Sequence, residues 1–280
     1  MGIYEIKGII GLKFKKIILE TKRKARGELW AYIVDNSPEM GVNRKKPAII
    51  ICPGGSGDVI TDREGEPVAI KMLSYGFQAF VLKYSVKPYR FPTGLEQLAK
   101  AVSLVRKNQD RWHIDPQRII VGGFSAGGYI AASLGTFWNR SFLAKDIGEK
   151  ALNFKPNGLL LAYAVITSGK YAHKNTVNNF LGKDKKRIQK LSLENQVSKI
   201  TPPAFIWHTF DDSWVPVENS LLFARSLRKY QIPFELHIFP KGGHGLSLAS
   251  KETKDNKGGQ FEEEVSLWSD LFANWVENNI

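Results

Sequence analysis

The chain has 280 residues, 43% of them hydrophobic, and 40 Lys and Arg against 27 Asp and Glu, a formal net charge of +13. This is the composition of a globular chain able to bury a substantial core, and its longest apolar run, Gly158–Ile166, is far too short to cross a bilayer. Cys52 is the only cysteine, which excludes an intrachain disulfide and fits a reducing compartment.

The first residues carry an early acid, scattered lysines and no apolar core ahead of a small-residue cleavage site. No secretory signal is legible, and Ile6 denies Gly2 a myristoylation context, so a cytoplasmic location is expected. Residues 1–46 read as a β-rich segment. Phe14–Glu20 and Leu29–Val34 alternate as strands, joined by a basic turn containing Gly27.

From residue 47 strands alternate with helices. Ala48–Cys52 is a short, wholly apolar run, hence a buried parallel strand, and it meets Pro53-Gly54-Gly55-Ser56-Gly57. Pro67–Tyr75 is predicted as a helix stopped by Gly76, and Gln78–Ser85 as a strand. Thr93–Asn108 is a helix with Leu95, Leu98, Val102 and Val105 on one face and Thr93 as N-cap. Asp115-Pro116 marks a turn into strand Arg118–Phe124. Gly158–Ile166 and Pro203–Phe210 are further buried strands. Pro216–Tyr230 is a helix, Phe234–Phe239 a strand, and Glu262–Val276 one closing helix. Alternation of this kind predicts an α/β architecture, a mostly parallel central sheet with helices on both faces. The polar stretch Thr167–Thr201 is the size of a small cap insertion, and residues 1–280 read as one domain.

Gly123-Phe124-Ser125-Ala126-Gly127 ends a strand and opens a helix, the signature of a nucleophile elbow. A serine hydroxyl needs an adjacent base oriented by an acid. Of five histidines, His113 and His173 lie in polar surroundings, and His208 and His237 sit inside strand patterns as structural imidazoles. His244 stands in Lys241-Gly242-Gly243-His244-Gly245, directly after a strand, and is the candidate base. The acid follows another strand as Asp211 or Asp212. Asp212 is the choice, with Asp211 a turn residue. The order Ser125, Asp212, His244 is that of the α/β-hydrolases. Oxyanion donors are expected from the backbone N–H of Ala126 and from the Gly54–Ser56 loop, with Gly55 first and Ser56 next. Trp214, two residues beyond the acid, is a candidate to line the substrate pocket, with a core aromatic as the other reading. No spacing suggests a metal site, and no Gly-Lys-Ser/Thr or Gly-x-Gly-x-x-Gly suggests a nucleotide, so no cofactor is expected.

The chain resembles the α/β-hydrolase superfamily in its carbohydrate-esterase-like branch, which includes acetylxylan and feruloyl esterase relatives. The resemblance rests on IICPGGSG at 50–57, IIVGGFSAGGYIAASLG at 119–135, PPAFIWHTFDDSWVPVENSLLFARSL at 202–227 and ELHIFPKGGHGLSLA at 235–249, and it covers about residues 47–277. It implies Ser125 as nucleophile, Asp212 as acid, His244 as base and the Gly54–Ser56 backbone at the oxyanion. Pro53-Gly54-Gly55-Ser56 replaces the His-Gly-Gly-Gly of hormone-sensitive-lipase-like esterases, Phe124 replaces their Asp, and His208-Thr209 replaces the usual His-Gly.

The expectation is a serine carboxylesterase for short acyl esters, such as acetyl groups on sugars or small oligosaccharides. Two alternatives stay open: a peptidase or amidase of prolyl-oligopeptidase type, and a catalytically silent hydrolase-fold binding protein. The expected partner is a small soluble ester. The dispersed basic residues read as a solvated surface, with no nucleic acid or membrane expected and a homo-oligomer left open.

Overall fold

Apolar runs too short for a helix are stable only as strands covered on both faces, and such runs make the centre of this protein. The computed structural model describes residues 11–256 and 261–280. The first ten residues of the expected β-rich segment, with the leader and acylation expectations that fall on them, lie outside the described residues. In chain order the elements are β1 (Leu12–Glu20), β2 (Arg26–Val34), β3 (Lys46–Cys52), α1 (Glu66–Ser74), β4 (Gln78–Lys83), α2 (Thr93–Lys107), β5 (Ile114–Phe124), α3 (Ala126–Phe137), α4 (Ser141–Ile147), β6 (Gly158–Ala162), α5 (Lys174–Leu181), α6 (Lys185–Lys190), β7 (Ala204–Thr209), α7 (Glu218–Lys229), β8 (Phe234–Phe239), α8 (Glu263–Ser266) and α9 (Trp268–Asn279).

The eight strands form one sheet in the order β1-β2-β4-β3-β5-β6-β7-β8. β1 with β2 and β2 with β4 are antiparallel; every pairing from β4 to β8 is parallel. Alternate strand residues face two apolar layers. Ile50, Val121 and Leu161 pack under α2, α3 and α7 through Leu98, Val102, Leu134 and Phe223. Ile49, Ile120 and Phe205 pack under α1 and α9 through Met72, Phe272 and Trp275. Helices therefore cover both faces, as an α/β sheet requires.

Several boundaries differ from the sequence expectation. The β1–β2 turn is Thr21–Ala25, closed by Thr21 N–H to the Ala25 carbonyl (3.0 Å), and Gly27 lies inside β2 opposite Leu19. Its glycine serves packing: a Cβ there would come within 3.0 Å of the Gln97 side chain. Thr93 is the first residue of α2 and caps nothing, Pro92 holding the N-cap position. Asp115-Pro116 lies within β5, where the register to β3 shifts between Lys46 and Ala48. β6 stops at Ala162, because Tyr163 turns to φ 36° and the chain leaves the sheet. The closing helix is two, broken at exposed Leu267, after which buried Trp268 donates its Nε1–H to the Ser247 carbonyl (2.9 Å).

The joint that matters for function lies between β5 and α3. Ser125 sits at φ 52°, ψ −119°, a strained conformation for a non-glycine residue. It is held by its N–H to the Ala162 carbonyl (3.0 Å) and by Val165 N–H to its own carbonyl (3.0 Å). The turn is so tight that a methyl group on Gly123 would overlap the Gly127 carbonyl, and one on Gly127 would overlap the Cys52 and Pro53 carbonyl oxygens. Gly127→Ala should therefore destabilise the protein by about 1–3 kcal/mol, the usual cost of overpacking. A lowered urea midpoint with unchanged slope checks it, and an unchanged midpoint contradicts it.

Candidate active site

All parallel strands deliver their C-terminal ends to one edge of the sheet, and loops there can meet although they are distant in sequence. Ser125 follows β5, Asp212 follows β7 and His244 follows β8. The structure brings the three together. Ser125 Oγ is 2.7 Å from His244 Nε2, and His244 Nδ1 is 2.7 Å from Asp212 Oδ2. A carboxylate only accepts, so Nδ1 carries the proton and Nε2 presents its lone pair to the serine hydroxyl.

Asp212 is buried, whereas Asp211 is exposed. Four donors converge on the Asp212 carboxylate. Oδ1 accepts the Trp214 and Val215 N–H groups, both at 2.9 Å, and Oδ2 accepts from His244 and from His208 Nε2 (3.2 Å). Burial by itself would raise the carboxyl pKa. The hydrogen bonds from His208 and His244, the His244 charge and the Val215 amide together hold it far below the usual carboxylate range. His208 Nε2 also faces the Val215 carbonyl (2.9 Å), so this nitrogen must be the donor, and Nδ1 is left to pair with Ser220 Oγ (2.8 Å). The strand histidine is thus structural, and the structure it serves is the acid. His237 pairs with Glu235 (2.7 Å) away from the site.

The loop after β3 folds against the serine. Gly55 (φ 120°) and Ser56 (φ 57°) line the same cleft as Ser125 and His244. A Cβ on Gly55 would overlap the Val59 carbonyl, so the loop's curvature depends on that glycine. Gly54 is corrected as an oxyanion candidate: its N–H is already donated to Glu64 Oε2 (2.7 Å). Ala126 opens α3, where first-turn N–H groups have no intrahelical acceptor. From the insertion, Asn179 Nδ2 donates to the Ser56 carbonyl (3.0 Å), and Phe180 packs where a Cβ on Gly57 would stand. His173, at the N-cap of α5, holds Thr176 Oγ1 through Nδ1 (2.8 Å). Burial pushes its pKa down, and His244 pushes it further against the opposing pull of Asp212.

The cleft encloses about 400 Å³ and is lined by Gly55, Ser56, Thr61, Arg63, Glu64, Ser125, Ser213, Trp214, Gly243, His244 and Gly245. Trp214 is no core aromatic. It is 66% exposed and stacks on His244, with ring centroids 5.9 Å apart and planes within 16°. Cys52 is fully buried, with its thiol pushed up by burial.

Sequence reasoning missed Arg63, Glu64, Tyr163 and Asn179. Arg63 donates to the carbonyls of Gly245 (2.9 Å) and Thr253 (3.0 Å), tying down the histidine loop. Glu64 Oε1 accepts from Tyr163 Oη–H (2.7 Å), and Tyr163 Oη accepts the Ser247 N–H (2.8 Å). The string Arg63-Glu64-Gly65-Glu66 reads as a solvated charge run before a helix. Nothing in it signals that one carboxylate turns inward.

Residues 37–227 match the BD-FAE protein family. Endo-1,4-beta-xylanase B of Butyrivibrio fibrisolvens is 37% identical over 234 residues, covering 80% of this chain and 36% of that protein. An acetylxylan esterase of Xylanibacter ruminicola is 28% identical over 239 residues, covering 82% of this chain and 45% of that one. The chain thus spans less than half the length of these two relatives. The crystal structure of an acetyl ester-xyloside bifunctional hydrolase from Caldicellulosiruptor lactoaceticus superposes with a TM-score of 0.81 at 37% identity, covering 97% of this chain and 98% of that one.

The lowered Asp212 pKa has a signed consequence. Folding favours the ionised form, so its stabilisation is complete above the unfolded value near 4 and is lost progressively as pH falls below it. The gap in urea midpoint between the native chain and Asp212→Asn should be constant above about pH 5 and shrink below about pH 4. A gap that widens on acidification would contradict the assignment.

Proposed function

The chain belongs to the BD-FAE family of carbohydrate-esterase-like α/β-hydrolases, and from that premise we propose that it is a serine carboxylesterase removing short acyl groups, acetyl above all, from sugars or small oligosaccharides. The observation that supports this most directly is the hydrogen-bonded relay from Asp212 through His244 to Ser125 at the floor of an open cleft. In this reading Ser125 Oγ attacks the acyl carbon as its proton passes to His244 Nε2, and Asp212 stabilises the imidazolium. The oxyanion is met by N–H groups of Ala126 and of Gly55 or Ser56. As the acyl C–O bond breaks, His244 gives its proton to the departing sugar oxygen, and water, deprotonated by the same imidazole, attacks the acyl-enzyme and releases the acid as Ser125 Oγ recovers the proton.

The cleft also supports a substrate class. Its volume suits a small ligand. Its walls are hydroxyl, amide and charged groups with a single large apolar surface, the Trp214 indole. In that lining, an exposed indole beside the nucleophile is a platform for the apolar face of a pyranose. The relatives named for acetylxylan and acetyl-xyloside hydrolysis favour an acetylated xylose unit.

Two measurements test this. Ser125→Ala should lower turnover of p-nitrophenyl acetate by about 10⁴-fold or more, as expected for loss of a triad nucleophile; full activity in that variant would end the proposal. Trp214→Ala should raise KM for acetylated xylo-oligosaccharides by about ten-fold, with little change for p-nitrophenyl acetate. An equal loss on both substrates would show that the indole serves His244 and not the sugar.

A further inference from the structure

The cleft contains a carboxylate that the acyl-transfer steps above do not use. Glu64 is 3% exposed, and among the described residues no lysine or arginine forms an ion pair with it. Burying an unpaired carboxylate is expensive unless hydrogen bonds replace its water. Here they do. Oε2 accepts the Gly54 N–H (2.7 Å) and the Thr61 hydroxyl, and Oε1 accepts the Tyr163 hydroxyl (2.7 Å).

Each donor belongs to a part of the site. Gly54 precedes Gly55 in the oxyanion loop, and Thr61 closes the return of that loop through its own N–H to the Gly54 carbonyl (3.2 Å). Tyr163 accepts the Ser247 N–H (2.8 Å) from the histidine loop, and its ring meets His244 edge-on, with centroids 5.2 Å apart and planes at 73°. The phenolic oxygen accepts from Ser247, and because a carboxylate only accepts, the phenolic proton is the one shared with Glu64. Burial and then the adjacent carboxylate hold that phenol well above its ordinary range, so it remains a donor.

We propose that Glu64 is a positioning residue: its carboxylate, bound to Gly54 on one side and Tyr163 on the other, fixes the oxyanion loop and the histidine loop in one frame. This rests on the esterase reading above. By taking up the Gly54 N–H, Glu64 sets the peptide that precedes Gly55, and leaves the following N–H groups for the substrate. By holding the Tyr163 hydroxyl, it sets the ring against which His244 rests. Both flanks present donors, and a carboxylate offers an acceptor oxygen to each. A glutamine keeps one flank only.

The test uses Glu64→Gln and Tyr163→Phe in the full chain, with turnover of p-nitrophenyl acetate normalised to sites titrated by a fluorophosphonate and with Ki for a boronic acid that mimics the tetrahedral intermediate. Glu64→Gln should lower kcat by about ten- to a hundred-fold with KM within about two-fold, a loss on the scale of a displaced oxyanion donor. Boronate Ki should rise by the same factor as kcat/KM falls. Tyr163→Phe should show the same split more weakly, and it decides the matter if Glu64→Gln does not fold. Per-site kcat and Ki within about two-fold of the native chain in both variants, even with a lowered melting midpoint, would overturn the proposal and leave Glu64 a purely structural acid. A native chain that neither turns over esters nor reacts with the fluorophosphonate would overturn the esterase reading itself, and this inference with it.

Discussion

The site depends first on a steric constraint, the approach of α3 to the end of β3 at Gly127. The helix can begin immediately after Ser125 only because nothing stands between the Gly127 α-carbon and the Cys52 and Pro53 carbonyls. That approach sets the serine backbone at φ 52° and lifts Oγ from the sheet edge towards His244. It also brings the loop after β3 alongside the first turn of α3, where Gly55 and Ser56 share a cleft with Ser125. Backbone strain of this kind, about 1–3 kcal/mol, persists only where the surroundings over-determine it. Here the Ala162 and Val165 hydrogen bonds to the Ser125 peptide do so.

On that frame the two carboxylates of the site share one arrangement: each is held by several hydrogen-bond donors, and neither is ion-paired with a lysine or arginine among the described residues. Asp212 has two amides and two imidazoles, and Glu64 has an amide and two hydroxyls. Donors of this kind fix the direction of each lone pair, whereas a lysine would supply charge with little geometry.

The sheet and the serine, acid and histidine loops were legible because each has a local signature: an apolar run for a buried strand, Gly-x-Ser-x-Gly for the elbow, glycines around His244 at a strand end. What was not legible is whatever depends on direction. His208 showed as a structural histidine, but not that its partner is Asp212. Gly27 looked like a turn because glycine favours turns, yet it is there to admit Gln97. Glu64 carries no local mark at all, since an acid before a helix is ordinary and only the fold turns it inward. That the Gly54 N–H within the oxyanion loop is already taken has no sequence signal either, since its acceptor lies ten residues on and a side-chain acceptor has no periodicity.

The insertion between β6 and β7 is tied to the body at many points. Phe180 accepts the Phe91 N–H (2.8 Å), Arg187 donates to the Phe91 carbonyl (2.7 Å), Leu191 accepts the Tyr129 hydroxyl (2.8 Å), Tyr171 accepts from Asn219 (3.0 Å), and Asn179 holds Ser56 (3.0 Å). The segment is thus fastened near both ends and in the middle. Its Asn179 bond to the Ser56 carbonyl makes it part of the cleft wall, so the loop after β3 is braced from the insertion on one side and by Glu64 on the other.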